Sequence, residues 1–335
     1  MTWIHHYTAL QKQEYTDAAF RLLPIRFEDR LEIMKWRNEQ IYHLRQEKEL
    51  SIEDQDRYFN EVVAKLFTET KPNQLLFSLL ENEVCVGYGG LVHINWDDEL
   101  AEISFVMNTE LEAMSFTRLW QSYLSLIEEL AFEELKLNRI FTHAYDMRPH
   151  LYPALEQIGY KKEAVLRDHY QFDEKFFDLV IHAKLASERI QLIEAQESDA
   201  KQIFEWANDP SVRANSFNPK PINWEEHCKW FQSKLDSKDS RIYLAKQNDQ
   251  AIGQVRLELK NGSWEIDYSV AKEHRGKGLG KQLIQYASLK LVPGDKLSAK
   301  VKADNLPSCM IFEKLGFSLS SGANEAVSCY TKEIV

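Results

Sequence analysis

The stretch RGKGLGK, from Arg275 to Lys281, holds the residue types that bind a phosphate group. Its three glycines lack side chains, so that backbone amides can converge on an anion. Arg275, Lys277 and Lys281 add positive charge. Apolar residues recur at every fourth position from Leu279, which predicts a helix whose positive N-terminal end adds to the attraction. The stretch therefore predicts an anion-binding loop at the start of a helix.

The spacing excludes two common phosphate loops. The stretch lacks the Gly-Lys-Ser/Thr ending of a Walker loop. Its Arg-x-x-Gly-x-Gly order also differs from the Rossmann fingerprint, and no acidic residue follows in the expected context. An alternative is a basic, glycine-bearing turn without a ligand. We favour an anion site because the loop joins a strand-like run, WEIDYSV, to an amphipathic helix.

The elements that must position this loop occur twice in the chain. WEIDYSV has a counterpart in AEISFVM, LEQIGY has one in FEKLGF, and Trp36-x-Asn38 has one in Trp206-x-Asn208. Each half reads as strand, helix, helix, three strands, helix, strand, helix and strand. This order predicts an α/β (α+β) fold, with a mixed, mostly antiparallel sheet flanked by helices. We predict two tandem domains, residues 21–186 and 187–335, after an N-terminal extension of residues 1–20.

Length, composition and net charge limit the kinds of protein that this chain can be. A length of 335 residues favours two domains, and 44% hydrophobic and 12% aromatic residues indicate a globular chain. The net charge of −11 argues against nucleic-acid binding. Four scattered cysteines give no metal site or disulfide framework, which fits a reducing cytosol. No apolar run could span a membrane, and the N-terminus lacks a secretory signal. We expect a cytoplasmic protein, and a homo-oligomer stays open.

Two motifs together resemble a known family. Arg275–Gly280 matches the Arg/Gln-x-x-Gly-x-Gly/Ala signature of the GNAT acyl-CoA-dependent N-acetyltransferases. NLPSCMIFEKLGF, from Asn305 to Phe317, is similar to the next motif of that family. The second half carries both motifs, and the first half resembles the fold without the loop. The resemblance implies acetyl-CoA as cofactor. The cofactor-binding residues that it implies are Tyr268, Ser269, Val270, Arg275, Gly276, Lys277, Gly278, Leu279, Gly280, Lys281, Asn305 and Ser308.

The resemblance also implies direct acyl transfer to an amine, which needs a base for the amine and an acid for the leaving thiolate. Glu265 alternates with apolar residues along WEIDYSV and is a candidate base, directly or through water; the alternative is a salt-bridged strand glutamate. Many family members carry a tyrosine acid at the position of Phe312. Here solvent or Tyr330 would act instead, and Asn305 would hold a relay water. No covalent intermediate is needed, so Cys309 is predicted to be a core residue.

The acceptor side is predicted in the run WANDPSVRANSFNPKPINWEEHCKWF, which is dense in amide, hydroxyl and aromatic groups. It resembles acetyltransferases of nonulosonic-acid (pseudaminic or legionaminic) biosynthesis, which act on nucleotide-linked deoxyamino sugars. Arg213, Asn215 and His227 are the predicted acceptor ligands. Trp230 and Phe231 are better explained as the core face of a helix.

The first half is predicted to lack the anion site. Its counterpart of the loop, NTELEAMSFTRLW, has no glycine and places Glu110 and Glu112 where a phosphate would bind. Three glycines in VGYGGLVHINW predict a bulge or a close approach of a ligand or another backbone. His93 and Glu102 would then line a polar cleft and contribute to acceptor binding. Three roles stay open: a structural remnant, a lender of acceptor ligands, or a second enzyme with altered donor handling.

The sequence therefore predicts an acetyl-CoA-dependent N-acetyltransferase that acts through its second domain on a small amine, a nucleotide-linked amino sugar. Acetylation of a protein N-terminus or of a polyamine is the alternative enzyme activity. A non-catalytic acyl-CoA sensor or scaffold is the alternative of another class, and Phe312 at the usual acid position keeps it open.

Overall fold

The computed structural model describes residues 3–320 and 326–335 and divides the chain into two compact units. They are Met1–Arg189, called the first domain below, and Ile190–Val335, called the second domain. The sequence-based boundary after residue 186 falls in the 3-10 turn Ala186–Glu188 near the end of the first domain. The described part of the predicted N-terminal extension packs against the first domain, because Tyr7 is buried and its hydroxyl donates to the Leu76 carbonyl at 2.7 Å.

The first domain is built on an eight-stranded sheet of order β1-β2-β3-β4-β5-β6-β8-β7. Its strands are β1 (Tyr15–Asp17), β2 (Phe20–Pro24), β3 (Leu75–Glu81), β4 (Val84–Asn95), β5 (Leu100–Met107), β6 (Arg139–Tyr145), β7 (Lys161–Phe172) and β8 (Lys175–Leu185). All neighbours are antiparallel except β5 and β6. Its helices are α1 (Arg30–Glu39), α2 (Ile52–Tyr58), a π turn (Phe59–Val63), α3 (Ala64–Leu66), α4 (Glu112–Glu128) and α5 (Leu151–Gln157).

The second domain repeats this plan with seven strands of order β14-β15-β13-β12-β11-β10-β9. Its strands are β9 (Gln191–Glu194), β10 (Ser240–Gln247), β11 (Gln250–Lys260), β12 (Ser263–Val270), β13 (Lys296–Lys302), β14 (Ser318–Leu319) and β15 (Val327–Glu333). Its helices are α6 (Ala200–Ala207), α7 (Pro210–Asn215), α8 (Trp224–Leu235), α9 (Leu279–Ser288) and α10 (Leu306–Lys314). Among its described strands, only β12 and β13 pair in parallel. The predicted mixed, mostly antiparallel fold is confirmed in both halves.

Glycine in β4 serves a close approach between strands. A Cβ on Gly89 would lie 2.0 Å from the carbonyl oxygen of Ser104 on β5. The irregular register of the pair falls later in β4, between Val92 and Asn95. The bulge and the near approach of another backbone, both offered by the sequence for the glycines of β4, are present, because the β3–β4 register also shifts beside Gly87, between Leu79 and Leu80.

The parallel strand pair of each domain separates soon after it begins. In the second domain β12 pairs with β13 at only two positions, Trp264 with Leu297 and Glu265 with Ser298. The rest of β12, residues 266–270, has no partner strand on that side within the described chain, although β11 pairs with its other side throughout. In the first domain β5 and β6 pair at three positions and then separate in the same way. Each sheet therefore has an internal opening with unpaired backbone groups.

No helix among the described residues is long and apolar enough to cross a membrane. The described residues also hold no group of three His, Cys, Asp or Glu side chains arranged to bind a metal ion.

Candidate active site

The predicted anion loop lies between β12 and α9, at the open end of the internal opening. Gly276 and Gly278 both have a φ of +77°, a left-handed conformation that favours glycine. A Cβ on either residue would meet no heavy atom of the described chain within 4 Å. Gly278 is the N-cap of the ten-residue helix α9. The loop therefore has the free space and the helix N-terminus that a pyrophosphate group requires.

The side chain of Arg275 is directed to the acceptor segment. Its Nε donates to the Val270 carbonyl at 3.0 Å, and its Nη atoms lie 2.6 Å from Ser211 Oγ and 3.0 Å from Asp209 Oδ1. Asp209 is the N-cap of α7 and accepts from the amides of Ser211 and Val212. The Ser211 hydroxyl and then Arg275 lower the pKa of Asp209 to about 2. Arg275 thus joins the anion loop to α7 through its side chain, and the loop backbone is left to face an anion.

Tyr268 and Ser308 meet across the internal opening. The Tyr268 hydroxyl lies 3.1 Å from Ser308 Oγ, and Asn305 caps α10 by accepting from the Ser308 amide. A Cβ on Gly280 would lie 2.9 Å from the Tyr268 ring, so a residue without a side chain is needed there. Ser269 Oγ is buried and has no hydrogen-bond partner among the described residues. An unsatisfied hydroxyl beside an unpaired strand edge fits a ligand that carries amide groups, as the pantetheine of acetyl-CoA does.

Glu265 lies in a network of charges on β11, β12 and β13. Its carboxylate is 2.7 Å from Lys260 Nζ and 3.0 Å from Lys300 Nζ, and Lys260 also pairs with Glu258. Burial acts to raise the pKa of Glu265, but the hydrogen bonds and charges of the two lysines outweigh it and hold the pKa below its usual range. The salt bridge that was the alternative for this residue is therefore present, and its role as a base stays a prediction.

Two tyrosine rings flank Phe312, which stands at the usual acid position. The Tyr268 ring lies 6.2 Å from the Phe312 ring between centroids, and the Tyr330 ring stacks on it at 5.5 Å. The Tyr330 hydroxyl donates to Glu313 at 3.1 Å, and burial raises the pKa of Tyr330 most strongly. Burial also raises the pKa of Tyr268, while the bond to Ser308 lowers it. Cys309 is buried and packs as a core residue.

The predicted acceptor ligands do not lie together. Arg213 binds the carbonyls of Ala207 and Asn218, at 2.5 and 3.1 Å, and so holds the turn around α7 in place. Asn215 is exposed at the end of α7. The prediction for His227 is corrected, because its side chain is buried between α6 and α8 and its Nε2 lies 2.9 Å from the Ala200 carbonyl. Burial lowers the pKa of His227, as expected for a neutral core histidine.

Glu102 of the first domain lies at the position that Glu265 has in the second domain, and it is also paired. Arg45 donates to both of its oxygens, at 2.7 and 3.2 Å, and its Nη atoms also approach His93 and His143 within 3.4 Å. His93 and Glu102 therefore do lie together, as predicted, at the rim of a cavity of about 460 Å³. Arg45 and His143 were not foreseen from the sequence.

Family comparisons agree with this repeated geometry. A profile described as "Acetyltransferase (GNAT) domain" matches residues 23–181, and a second profile of the same description matches residues 189–318. The chain consists of two tandem GNAT acetyltransferase domains. Acetyl-CoA is the acyl donor of this family. The first GNAT domain thus retains the fold although its sequence has no glycine loop.

Characterised and uncharacterised relatives align with less than half of this chain. Acetyltransferase PseH of Campylobacter jejuni is 24% identical over 129 residues, which are 38% of this chain and 81% of that protein. An uncharacterised N-acetyltransferase, p20 of Bacillus licheniformis, is 26% identical over 148 residues, 40% of this chain and 81% of that protein. A protein of Methanocaldococcus jannaschii is 25% identical over 143 residues, 41% of this chain, and the match spans only 30% of its own length.

Solved structures of acetyltransferases also align with part of this chain. Spermidine N-acetyltransferase from Vibrio cholerae, solved with CoA and spermine, aligns with a TM-score of 0.45 and 17% identity. The alignment covers 51% of this chain and 97% of that chain.

Proposed function

We propose that the second GNAT domain is an acetyl-CoA-dependent N-acetyltransferase that acts on a small amine. The observation that carries the proposal is the combination of a glycine loop with open space at Gly276 and Gly278 and an adjacent unpaired strand edge in β12. Acetyl-CoA, when bound, supplies the thioester whose acetyl group the amine takes up. The loop backbone and the N-terminus of α9 bind the pyrophosphate, and the open edge of β12 with Asn305 and Ser308 orients the pantetheine.

Glu265 is the proposed acceptor of the amine proton, through a water molecule. Lys260 and Lys300 keep its carboxylate ionised, which is the state that a base requires. The same ion pairs weaken it as a base, because a lowered pKa reduces the driving force for proton transfer. Substitution Glu265→Gln should lower kcat and leave acetyl-CoA affinity unchanged. An unaltered pH–rate profile in this variant would remove Glu265 from the mechanism.

The proton donor to the leaving thiolate is proposed to be Tyr268 in preference to Tyr330. Tyr268 lies on the open segment of β12, and its hydroxyl meets Ser308 within the second motif. Tyr330 is buried on β15 and already donates to Glu313. Two matched variants, Tyr268→Phe and Tyr330→Phe, each remove one hydroxyl. We expect at least a tenfold loss of kcat for the first and about twofold for the second, since positioned acids contribute about 100-fold or more. The opposite order of effects would assign the role to Tyr330.

The acceptor is proposed to be an amino sugar linked to a nucleotide. Support comes from the resemblance of the segment between Trp206 and Phe231 to amino-sugar acetyltransferases, and from Arg275, which links that segment to the anion loop through Asp209 and Ser211. Thiol release should be measured with nucleotide-linked amino sugars, polyamines and peptides as acceptors. If a polyamine or a peptide is acetylated faster than the amino sugars, that amine and not the sugar is the acceptor. Binding of CoA without release for any amine would favour a sensor.

A further inference from the structure

The first domain contains a cavity of about 460 Å³ at its own internal opening. Three arginines and one acid, Arg37, Arg45, Arg148 and Glu102, are the charged residues among those that line it, so the lining carries a formal charge of +2. The whole chain has a net charge of −11. A positive cavity in an acidic protein favours an anionic ligand, and its volume suits a small molecule.

Two of the three arginines already have partners. Arg37 donates to the Tyr88 hydroxyl at 2.7 Å, and Arg45 pairs with Glu102. Arg148 differs, because its side chain is only 9% exposed and makes no hydrogen bond to any residue in the described part of the chain. The acid nearest to it is Glu112, whose Oε1 lies 3.8 Å from Nη1, beyond hydrogen-bonding distance. The guanidinium also lies over the Phe116 ring, 5.7 Å from its centroid. Arg148 therefore has a long ion pair and a ring contact but no hydrogen-bond acceptor, and a ligand would supply one.

Two further buried donors line the same cavity. Trp120 Nε1 on α4 and Thr142 Oγ1 on β6 have no hydrogen-bond partner within the ranges that the structure describes. Buried polar groups are nearly always hydrogen-bonded, so two unsatisfied donors beside a guanidinium that lacks a hydrogen-bond acceptor need a common explanation. We propose that the first domain binds a small molecule that carries a carboxylate or phosphate group. Arg148, Trp120 and Thr142 donate hydrogen bonds to this group.

This ligand is not acyl-CoA. The first domain has no glycine loop, and Glu110 and Glu112 stand at the start of α4, where a pyrophosphate would bind. When the repeats are aligned on Gly159 and Gly316, Arg148 takes the place of Asn305. The first domain therefore has a fixed cation where the second has an amide. The proposal does not depend on the activity of the second domain.

The test uses the full chain with the substitution Gly278→Glu, which removes the anion loop of the second domain. Succinate and inorganic phosphate are the two probes, titrated by calorimetry and by NMR of the ¹⁵N-labelled indole groups. The Trp120 indole signal, assigned with Trp120→Phe, should shift in a saturable way with one site per chain. The probe that binds more tightly identifies the ligand group as a carboxylate or a phosphate.

Variants at the cavity decide where the probe binds. Arg148→Gln should weaken binding at least tenfold, as expected for the loss of a charged hydrogen bond of about 1.5–3 kcal/mol. Thr142→Val keeps the shape of the side chain and should weaken binding of the probe several-fold. If Arg148→Gln does not fold, Thr142→Val alone tests whether the probe binds in the cavity. Arg167→Gln is the matched control, because Arg167 is exposed on β7 and does not line the cavity. The proposal is overturned if neither probe moves the Trp120 signal, if both cavity variants bind like the control, or if CoA titrates this site.

Discussion

Substitution of Gly278 by alanine separates the cost of backbone strain from the cost of lost ligand contacts. Gly278 has a φ of +77°, and Gly262, in the hairpin between β11 and β12, has a φ of +75°. A Cβ on either would touch nothing within 4 Å among the described residues. Left-handed backbone costs a non-glycine residue about 1–2 kcal/mol, partly offset by about 0.4–1 kcal/mol from the stiffer unfolded chain. Both variants should therefore lose about 1 kcal/mol of folding stability.

Only Gly278→Ala should also lose affinity for CoA. Its Cβ occupies the open space in which we place the pyrophosphate, and the displacement of one charged hydrogen bond costs about 1.5–3 kcal/mol, or roughly 10- to 150-fold in Kd. Thermal unfolding measures the first effect and calorimetric titration with CoA the second. If Gly262→Ala loses as much affinity as Gly278→Ala, the loss is due to strain and the loop is not the phosphate site. The loop is also not the phosphate site if Gly278→Ala binds CoA as tightly as the unaltered chain does.

Two further predictions concern single side chains. Burial, and then the charge of Arg148, lower the pKa of His43 to about 3. The unfolded chain then binds a proton that the folded chain does not as the pH falls below about 6.5, so this residue costs stability at acid pH, by at most about 1.4 kcal/mol per pH unit. His43→Phe should flatten the fall of Tm between pH 6.5 and 4, and an unchanged slope would contradict this. Asp209→Asn keeps a good N-cap but weakens the pair with Arg275, so we expect a rise of about two- to fivefold in acceptor KM with CoA affinity unchanged, and a parallel loss of both would refute the link.

The fold could be predicted because its signals are local. The alternation of apolar residues in WEIDYSV and AEISFVM indicates strands, and their recurrence in both halves indicates a duplicated domain. His227 was misassigned although a local signal was present. It lies four residues before Phe231 and therefore on the same, buried face of α8.

Contacts between distant segments could not be predicted in the same way. Arg275 reaches Asp209 across 66 positions of the chain, and Tyr268 reaches Ser308 across 40. The cavity of the first domain is lined by residues of β4, β5, β6 and α4, whose side chains come together only when the sheet forms. What the sequence did predict of it is a polar cleft at His93 and Glu102, next to the glycines of β4.

The unpaired segment of β12 has a consequence for amide hydrogen exchange. β11 protects one side of residues 266–270, while the other side faces no strand within the described residues. Along a strand, successive amides point to opposite sides, so alternate amides of this segment should exchange rapidly in the middle of an otherwise protected sheet. A bound ligand that pairs with this edge would slow those amides alone. The exchange rates of these individual amides would therefore report whether a ligand occupies the opening beside β12.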